Sequence, residues 1–462
     1  MVKAFLTVAA CLLYAVSSLA QDKVWKSSAE PLAEIKKLRS LIRSPQFKKV
    51  DYNITKYGAV SGGTTNNTKA INAAIQACSK AGGGRVIVPV GTWLTGAIYL
   101  KSNVNLHLED SAKVIFSRDT KDYPIVATRW EGMECMNYSA LIYANGENNI
   151  AITGNGTLDG NADREHWWNW VYGGPAINQL TARNKLHEYM HQKTDPKTRV
   201  FGDGSFLRPN FIQFQNSKNI RISDVRITNS PMWIIHPLLS ENITIENVKV
   251  ISHGPNNDGC DPESCKNVLI KNCLFDTGDD CIAIKSGRDE DGRRVARPAE
   301  NHIVENCIMK DGHGGVTIGS EIAGGARNIY AINCTMDSKD LDRVFRLKTS
   351  SSRGGIIENV FMKDIKVGTY KDAALSFNMF YETPGNFMPT IRNIWVENLD
   401  VEKGGNFGVF VRAYAESPVQ NLRVVNSNIR GVKTPVEADH TNNMRFDNVI
   451  INGAVASAAT AK

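Results

Sequence analysis

The chain has 462 residues, 42% hydrophobic and 22% charged, an ordinary composition for a folded protein. Its net charge of +7 at pH 7 is mildly basic and suits an acidic polymer, but charge alone does not separate an acidic polysaccharide from nucleic acid. No internal apolar run reaches the ~20 residues needed to cross a bilayer, which excludes a helical membrane protein for the body of the chain.

At the N-terminus, Lys3 precedes an apolar stretch from Ala4 to Val16, and Ser18-Leu19-Ala20 supplies small residues for cleavage. Residues 1–20 therefore read as a secretory signal, with a secreted or periplasmic destination expected. A lipoprotein box at Val8-Ala9-Ala10-Cys11 is the weaker reading, because the apolar segment continues beyond Cys11. Residues 21–50 read as an N-terminal extension and 51–462 as one domain, since repeat folds grow as a single long core. Thr68 to Lys80 has helical apolar spacing and ends at Gly82-Gly83-Gly84, with strand-like Arg85-Val-Ile-Val after it. Asn161 to Arg208 breaks the strand rhythm, carries Trp167, Trp168 and Trp170, and reads as a long loop excursion.

From about Asn219 onward, short β-branched segments recur, among them Asn242-Ile-Thr-Ile-Glu-Asn-Val, Asn267-Val-Leu-Ile-Lys-Asn-Cys and Asn328-Ile-Tyr-Ala-Ile-Asn-Cys. Units anchored at positions 219, 242, 267, 301, 328, 354, 393, 421 and 443 place a polar column five residues on. It comprises Asn247, Asn272, Asn306, Asn333, Asn359, Asn398, Asn426 and Asn448. The next position is mostly apolar: Val248, Cys273, Cys307, Cys334, Val360, Leu399, Ser427 and Val449. A column repeated unit after unit is the mark of a solenoid, and the two-residue alternation within each segment is that of strands. The expected fold is all-β, a parallel β-helix with Thr68–Lys80 as the N-terminal capping helix that covers the open core. Asn suits a bend because it tolerates left-handed backbone, and stacked amides bond along the column. Of nine cysteines, six cluster between Cys260 and Cys334. A metal or disulfide competes there with simple packing; Cys273, Cys307 and Cys334 stand where Val or Leu stands elsewhere and read as core. Cys260 and Cys265, in a loop, are the better candidates for a bridge.

Ionisable residues gather on consecutive units between 256 and 348. Asp258 is followed by Asp279 and Asp280 in Gly278-Asp-Asp-Cys, His313 in Gly312-His-Gly-Gly, and Arg346 and Lys348 in Arg343-Val-Phe-Arg-Leu-Lys. Asp279 lies twelve residues past anchor 267 and His313 twelve past anchor 301, so the two are expected to stack about 5 Å apart. Singly, Gly-Asp-Asp reads as a turn, His313 as a loop residue, and Arg346 and Lys348 as a solvated strand face. Together they offer what glycoside hydrolysis requires, a proton donor and a carboxylate that activates water or attacks directly.

Four motifs in this order resemble those of the family 28 glycoside hydrolases, the polygalacturonases and their relatives. They are Asn256-Asn257-Asp258, Gly278-Asp279-Asp280, Gly312-His313-Gly314 and Arg346-Leu347-Lys348. Asn257 departs from the family's Thr and Leu347 from its Ile. The resemblance, from about Tyr52 onward, implies a right-handed β-helix and an inverting cut of polygalacturonate or pectin without metal or cofactor. It implies Asp279 as general acid, Asp258 and Asp280 as water activators, His313 supporting protonation of Asp279, and Arg346 and Lys348 holding a substrate carboxylate. Asn256, Lys285, Arg288 and Arg293 complete the expected substrate-binding set. Ser230-Pro-Met-Trp-Ile-Ile-His-Pro, Gly287-Arg-Asp-Glu-Asp-Gly-Arg-Arg and Gly315-Val-Thr-Ile-Gly-Ser-Glu resemble exo-type members. The insertions at 161–208 and 288–299 would then close one end of the groove. The expected partner is an acidic polysaccharide and not nucleic acid, with the chain a monomer. Rival readings are an endo-acting or rhamnogalacturonan/xylogalacturonan hydrolase, a calcium-dependent pectate lyase, and a non-catalytic β-helical carbohydrate-binding protein. The last predicts stacked aromatics without a carboxylate cluster.

Overall fold

A computed structural model describes residues 24–174 and 176–457; the expected signal segment lies outside the described residues. Alternation decides the strands. Ile222, Ile245, Ile270, Val304 and Ala331 point inward and pair in parallel register from coil to coil. Each coil supplies three strands. Lys266–Lys271 and Leu274–Thr277 belong to the two back ladders, and Ile282–Ile284 to the sheet that carries the site. The next coil repeats this with Ala299–Glu305, Ile308–Met309 and Val316–Ile318, and the one after with Ala326–Ile332, Thr335–Met336 and Arg343–Lys348. The stack is a right-handed parallel β-helix, the hand that twisted strands favour in parallel crossovers. The helix Thr68–Lys80 covers one end, burying Ile71, Ala74, Ile75 and Cys78.

Asn builds two ladders. At the bend, Asn272, Asn306 and Asn333 have φ of 54°, 54° and 51°. Asn306 Nδ2 donates to Asn272 Oδ1 at 3.2 Å, and Asn333 Nδ2 to Asn306 Oδ1 at 2.6 Å. The opening residues Asn242, Asn267, Asn301 and Asn328 form the second ladder. That ladder corrects one register: Asn359 Nδ2 donates to Asn328 Oδ1 and Val360 pairs with Ile329, so this unit opens at Asn359 and not at position 354. Its bend residue is Asp364, at φ 56°, and Ile365 takes the apolar place beside Leu399. Asp substitutes for Asn here because it too tolerates left-handed backbone.

Cys273, Cys307 and Cys334 are buried in the core, with thiols donating to backbone carbonyls two residues back; Ser427 Oγ does the same at 2.8 Å. The bridge expected between Cys260 and Cys265 does not form, and both are free buried thiols. Cys260 lies between Ile235 and Ile282 in the site sheet, so its segment is a coil and its thiol packs as an aliphatic side chain would.

Two additions flank the solenoid. The helix Ala29–Leu41 straps the outer face of the back sheet, packing Ile35 and Leu38 against Ile303, Tyr330 and Phe361. The excursion at 161–208 is not all loop. Its helix Leu180–His191 turns Leu186 and Met190, one turn apart, against Trp130, Met133 and Trp233. Each such fully buried side chain contributes about 1.5–3 kcal/mol. The hairpin Ile125–Trp130/Met133–Tyr138 completes this second small core. Trp167 is buried against Tyr123 and Trp170, and Trp168 Nε1 donates to Ser230 O, so the tryptophans anchor the excursion to the coils.

Candidate active site

The site sheet alternates like the rest. Phe345 and Leu347 enter the core, which forces Arg346 and Lys348 outward. Register places Arg346 beside Thr317 and Thr317 beside Ala283, so the outward row lies directly under the loop of Asp279 and Asp280. Asp280 is drawn into this row. Its Oδ1 accepts from Thr317 Oγ1 at 3.0 Å and Arg346 NH1 at 3.3 Å, and its Oδ2 from Lys348 Nζ at 2.6 Å. Arg346 and Lys348 are thus buried partners of Asp280 and not a solvated face. Burial alone would raise the Asp280 pKa, but the charges of Lys348, Arg346 and Lys285 hold it well below the usual carboxylate range.

Asp258, Asp279 and Asp280 each offer an oxygen within 4.8 Å of the others. That spacing would fit a cation, yet Lys348 and Arg346 already bind Asp280, and Lys285 Nζ lies 3.6 Å from Asp258 Oδ2. A donor set so backed by fixed positive charge does not suit a divalent ion. Burial first, then the charge of Asp279, raises the Asp258 pKa to about 7. The Asp258 carboxyl therefore keeps its proton to near neutrality. Access differs among the three side chains: Asp279 is 19% exposed, Asp258 4% and Asp280 0%. Asp279 is the one that faces the groove. His313 Nδ1 lies 2.9 Å from Asp279 Oδ1, as the equal offsets require, and that bond raises the imidazole's pKa. Gly314 is needed here because a Cβ would stand 2.8 Å from Asp280 Oδ1 and 2.2 Å from Thr317 Oγ1.

The Asn256-Asn257-Asp258 loop is braced from beneath. Asn257 is fully buried, its Oδ1 accepting from Gly254 N and its Nδ2 donating to Ser230 O. Asn256 Oδ1 accepts from buried Arg208, which also holds the carbonyls of Pro231 and Pro255.

A cavity of about 100 Å³ opens on these groups; it is lined by Asn256, Asp258, Asp279, Lys285, Lys348, Trp233, Tyr381, Glu131, Arg183, Arg288, Ser320, Glu321 and Glu382. Lys285 lies under Trp233, 4.4 Å from its ring centroid, and 2.9 Å from Glu321. Burial works against its charge, but Glu321, Asp258 and Asp261 outweigh it and hold its pKa well above the usual value. Arg288 is buried and paired with Glu321 at 2.7 Å and Glu382 at 3.2 Å. Arg293 is not in the cavity. Its NH1 donates to the carbonyls of Ser352 and Arg353, and it lies over Phe387. The helix Asp289–Val295 turns it outward, a direction that loop composition could not supply.

Four further residues join the site without a motif to announce them. Tyr381 lies 5.1 Å from both Arg346 and Lys348. Asp261, wholly buried 3.6 Å from Lys285, has its pKa pushed well up by burial and by Asp258. Glu131 and Arg183 come from the hairpin and the excursion helix. Asp261, three residues past Asp258, was legible as an extra acid; the others were not.

Comparison with known proteins agrees with this architecture. The profile of the glycosyl hydrolases family 28 matches residues 78–447. A probable polygalacturonase of Vitis vinifera is 30% identical over 331 residues, covering 69% of this chain; the match spans 61% of the relative's own length. An exo-poly-alpha-D-galacturonosidase of Dickeya chrysanthemi is 27% identical over 439 residues, 86% of this chain and 70% of the relative. The crystal structure of a hyperthermoactive exopolygalacturonase from Thermotoga maritima is 40% identical and superposes with a TM-score of 0.86, covering 92% of this chain and 96% of that one. The chain belongs to the family 28 glycosyl hydrolases.

Proposed function

We propose that this protein is an exported exopolygalacturonase, removing galacturonate from the end of polygalacturonate by hydrolysis with inversion. The single observation that carries the reading is the placement of the carboxyls: Asp279 exposed to the groove and bonded to His313, with Asp258 buried behind it. Asp279 donates the proton to the glycosidic oxygen while ionised Asp280, and Asp258 in its ionised form, accept from the attacking water. His313, bonded to Asp279, moves the proton on and off that carboxyl. Lys348 and Arg346 keep Asp280 charged and fixed. Exo action draws support from the wall that the hairpin, the excursion helix and Arg288 raise beside the cavity. It draws further support from the Thermotoga and Dickeya relatives, an exopolygalacturonase and an exo-poly-alpha-D-galacturonosidase. Export rests on the segment ending at Ala20.

The carboxylate spacing of 4.8 Å or less is shorter than the roughly 6.5–9.5 Å usual for inversion. Inversion rests instead on the lack of a mobile nucleophile. Asp280 is tied by three donors, and Asp258 is buried. Proton NMR of the first product decides it. Initial β-galacturonate is expected from the α-linkage, and initial α-product overturns inversion while leaving hydrolysis standing. Product sizing on polygalacturonate is expected to show monomer from the first minutes; a spread of oligomers overturns exo action. Asp279→Asn should lower kcat by about 100- to 10,000-fold, the span of a positioned acid. Full activity in that variant removes the acid assignment.

A further inference from the structure

The cavity's cations are unequal. Lys285, Arg288 and Lys348 are each 5% exposed or less, and each is bonded to buried acids. Arg183 differs. Its side chain is 36% exposed, and its side-chain hydrogen bond, among the described residues, runs from Nε to Glu131 Oε2 at 2.8 Å. That arrangement spends one edge of the guanidinium and leaves its terminal nitrogens for a ligand. A planar fork of this kind suits a carboxylate.

The partner that holds Arg183 is itself held at a cost. Glu131 and Gly132 form the two-residue turn of the hairpin, at φ 45° and 79°. Such turns favour Asn-Gly or Asp-Gly, and a longer side chain in left-handed backbone is strained. Gly132 packs against the backbone of Arg288, whose N donates to Gly132 O at 3.0 Å, so the tip is wedged into the wall. On the other side, Arg183 rides on the helix that anchors Leu186 and Met190 in the small second core. Two separate insertions thus converge to place one partly exposed guanidinium in the cavity of Asp279.

We infer that Arg183, positioned by Glu131, binds the carboxylate of the terminal galacturonate and so sets the enzyme's preference for a charged chain end. The inference rests on the exo reading above. It also moves the expected uronate contact away from Arg293, which is bonded to backbone carbonyls outside the cavity.

The test compares trigalacturonate with a trisaccharide whose non-reducing residue is neutral galactose. Wild type should prefer the charged end. In Arg183→Gln that preference should collapse by roughly 10- to 100-fold, the scale of one charge-assisted pair, through KM on trigalacturonate and with kcat little changed. Arg183→Lys should restore part of it, and Glu131→Gln should weaken it less than Arg183→Gln does. An equal loss on both substrates, or no loss, overturns the assignment. Melting temperatures identify a variant that has merely lost the helix packing, and the Lys variant then decides. If wild type releases oligomers first, the exo reading falls and the terminal role with it; monomer from wild type with an indifferent Arg183→Gln overturns this inference alone.

Discussion

The back bend and the site face are made of the same coils and obey opposite rules. At the bend, successive coils repeat the same two residue types: Asn272, Asn306 and Asn333 in left-handed backbone, Cys273, Cys307 and Cys334 packed inside. Every group is neutral; the Asn amides find their partners one coil away and the thiols theirs two residues back. On the site face no residue repeats. Thr317 comes from one coil and Arg346 and Lys348 from the next, yet all three bind the single carboxylate of Asp280. Repetition builds the scaffold, and the break in repetition concentrates charge at one point. A loss at the bend should therefore be small and local, whereas a loss at the face should disable chemistry and fold together.

The largest contrast is expected from Lys348→Met. Removing one partner of a buried pair typically costs about 3–5 kcal/mol, and with Asp280 no longer fixed kcat should fall at least about 100-fold. Calorimetry and reducing-sugar release check both; a variant of normal stability and activity would mean that Asp280 does not depend on Lys348. Next is the pH profile. Asp258 can accept a proton from water only once it has ionised, so kcat/KM should rise as the pH approaches about 7. A profile flat through the range just below pH 7 would mean that Asp258 takes no part in activating the water. At the bend, Asn306→Ala removes two rungs of a ladder and puts a Cβ-bearing residue without a polar side chain at φ 54°. A cost of about 1–3 kcal/mol in urea unfolding is expected, with kcat unchanged. Smallest of all is Cys307→Val, a volume-conserving swap in the core, expected to cost under about 1.5 kcal/mol. Reductant should leave wild-type stability unchanged as well, because the described cysteines are free thiols; a reductant-sensitive melting temperature would contradict that.

What the chain's own pattern determined was the repeat and whatever hangs from it at a fixed offset. The Asn column, the Cys core and the stacking of His313 on Asp279 follow from local spacing, because each coil adds a nearly constant step. The one misplaced unit shows the limit. Gly354 and Asn359 both open a plausible segment, and only pairing of Val360 with Ile329 chooses between them, since period-2 patterns tolerate rival registers until partners are fixed. Cys260 and Cys265 likewise looked like a loop until their coil neighbours were known.

Tertiary structure alone decided the wall and the charge balance. Arg183 and Glu131 are 52 residues apart and belong to insertions without a repeat, so no offset relates them. Nor could sequence tell that Arg288 would be neutralised by Glu321 and Glu382 while Arg293 turned to backbone carbonyls. Whether a cation binds substrate or a neighbouring acid depends on burial and on distances of a few ångströms, and those exist only once distant segments have packed.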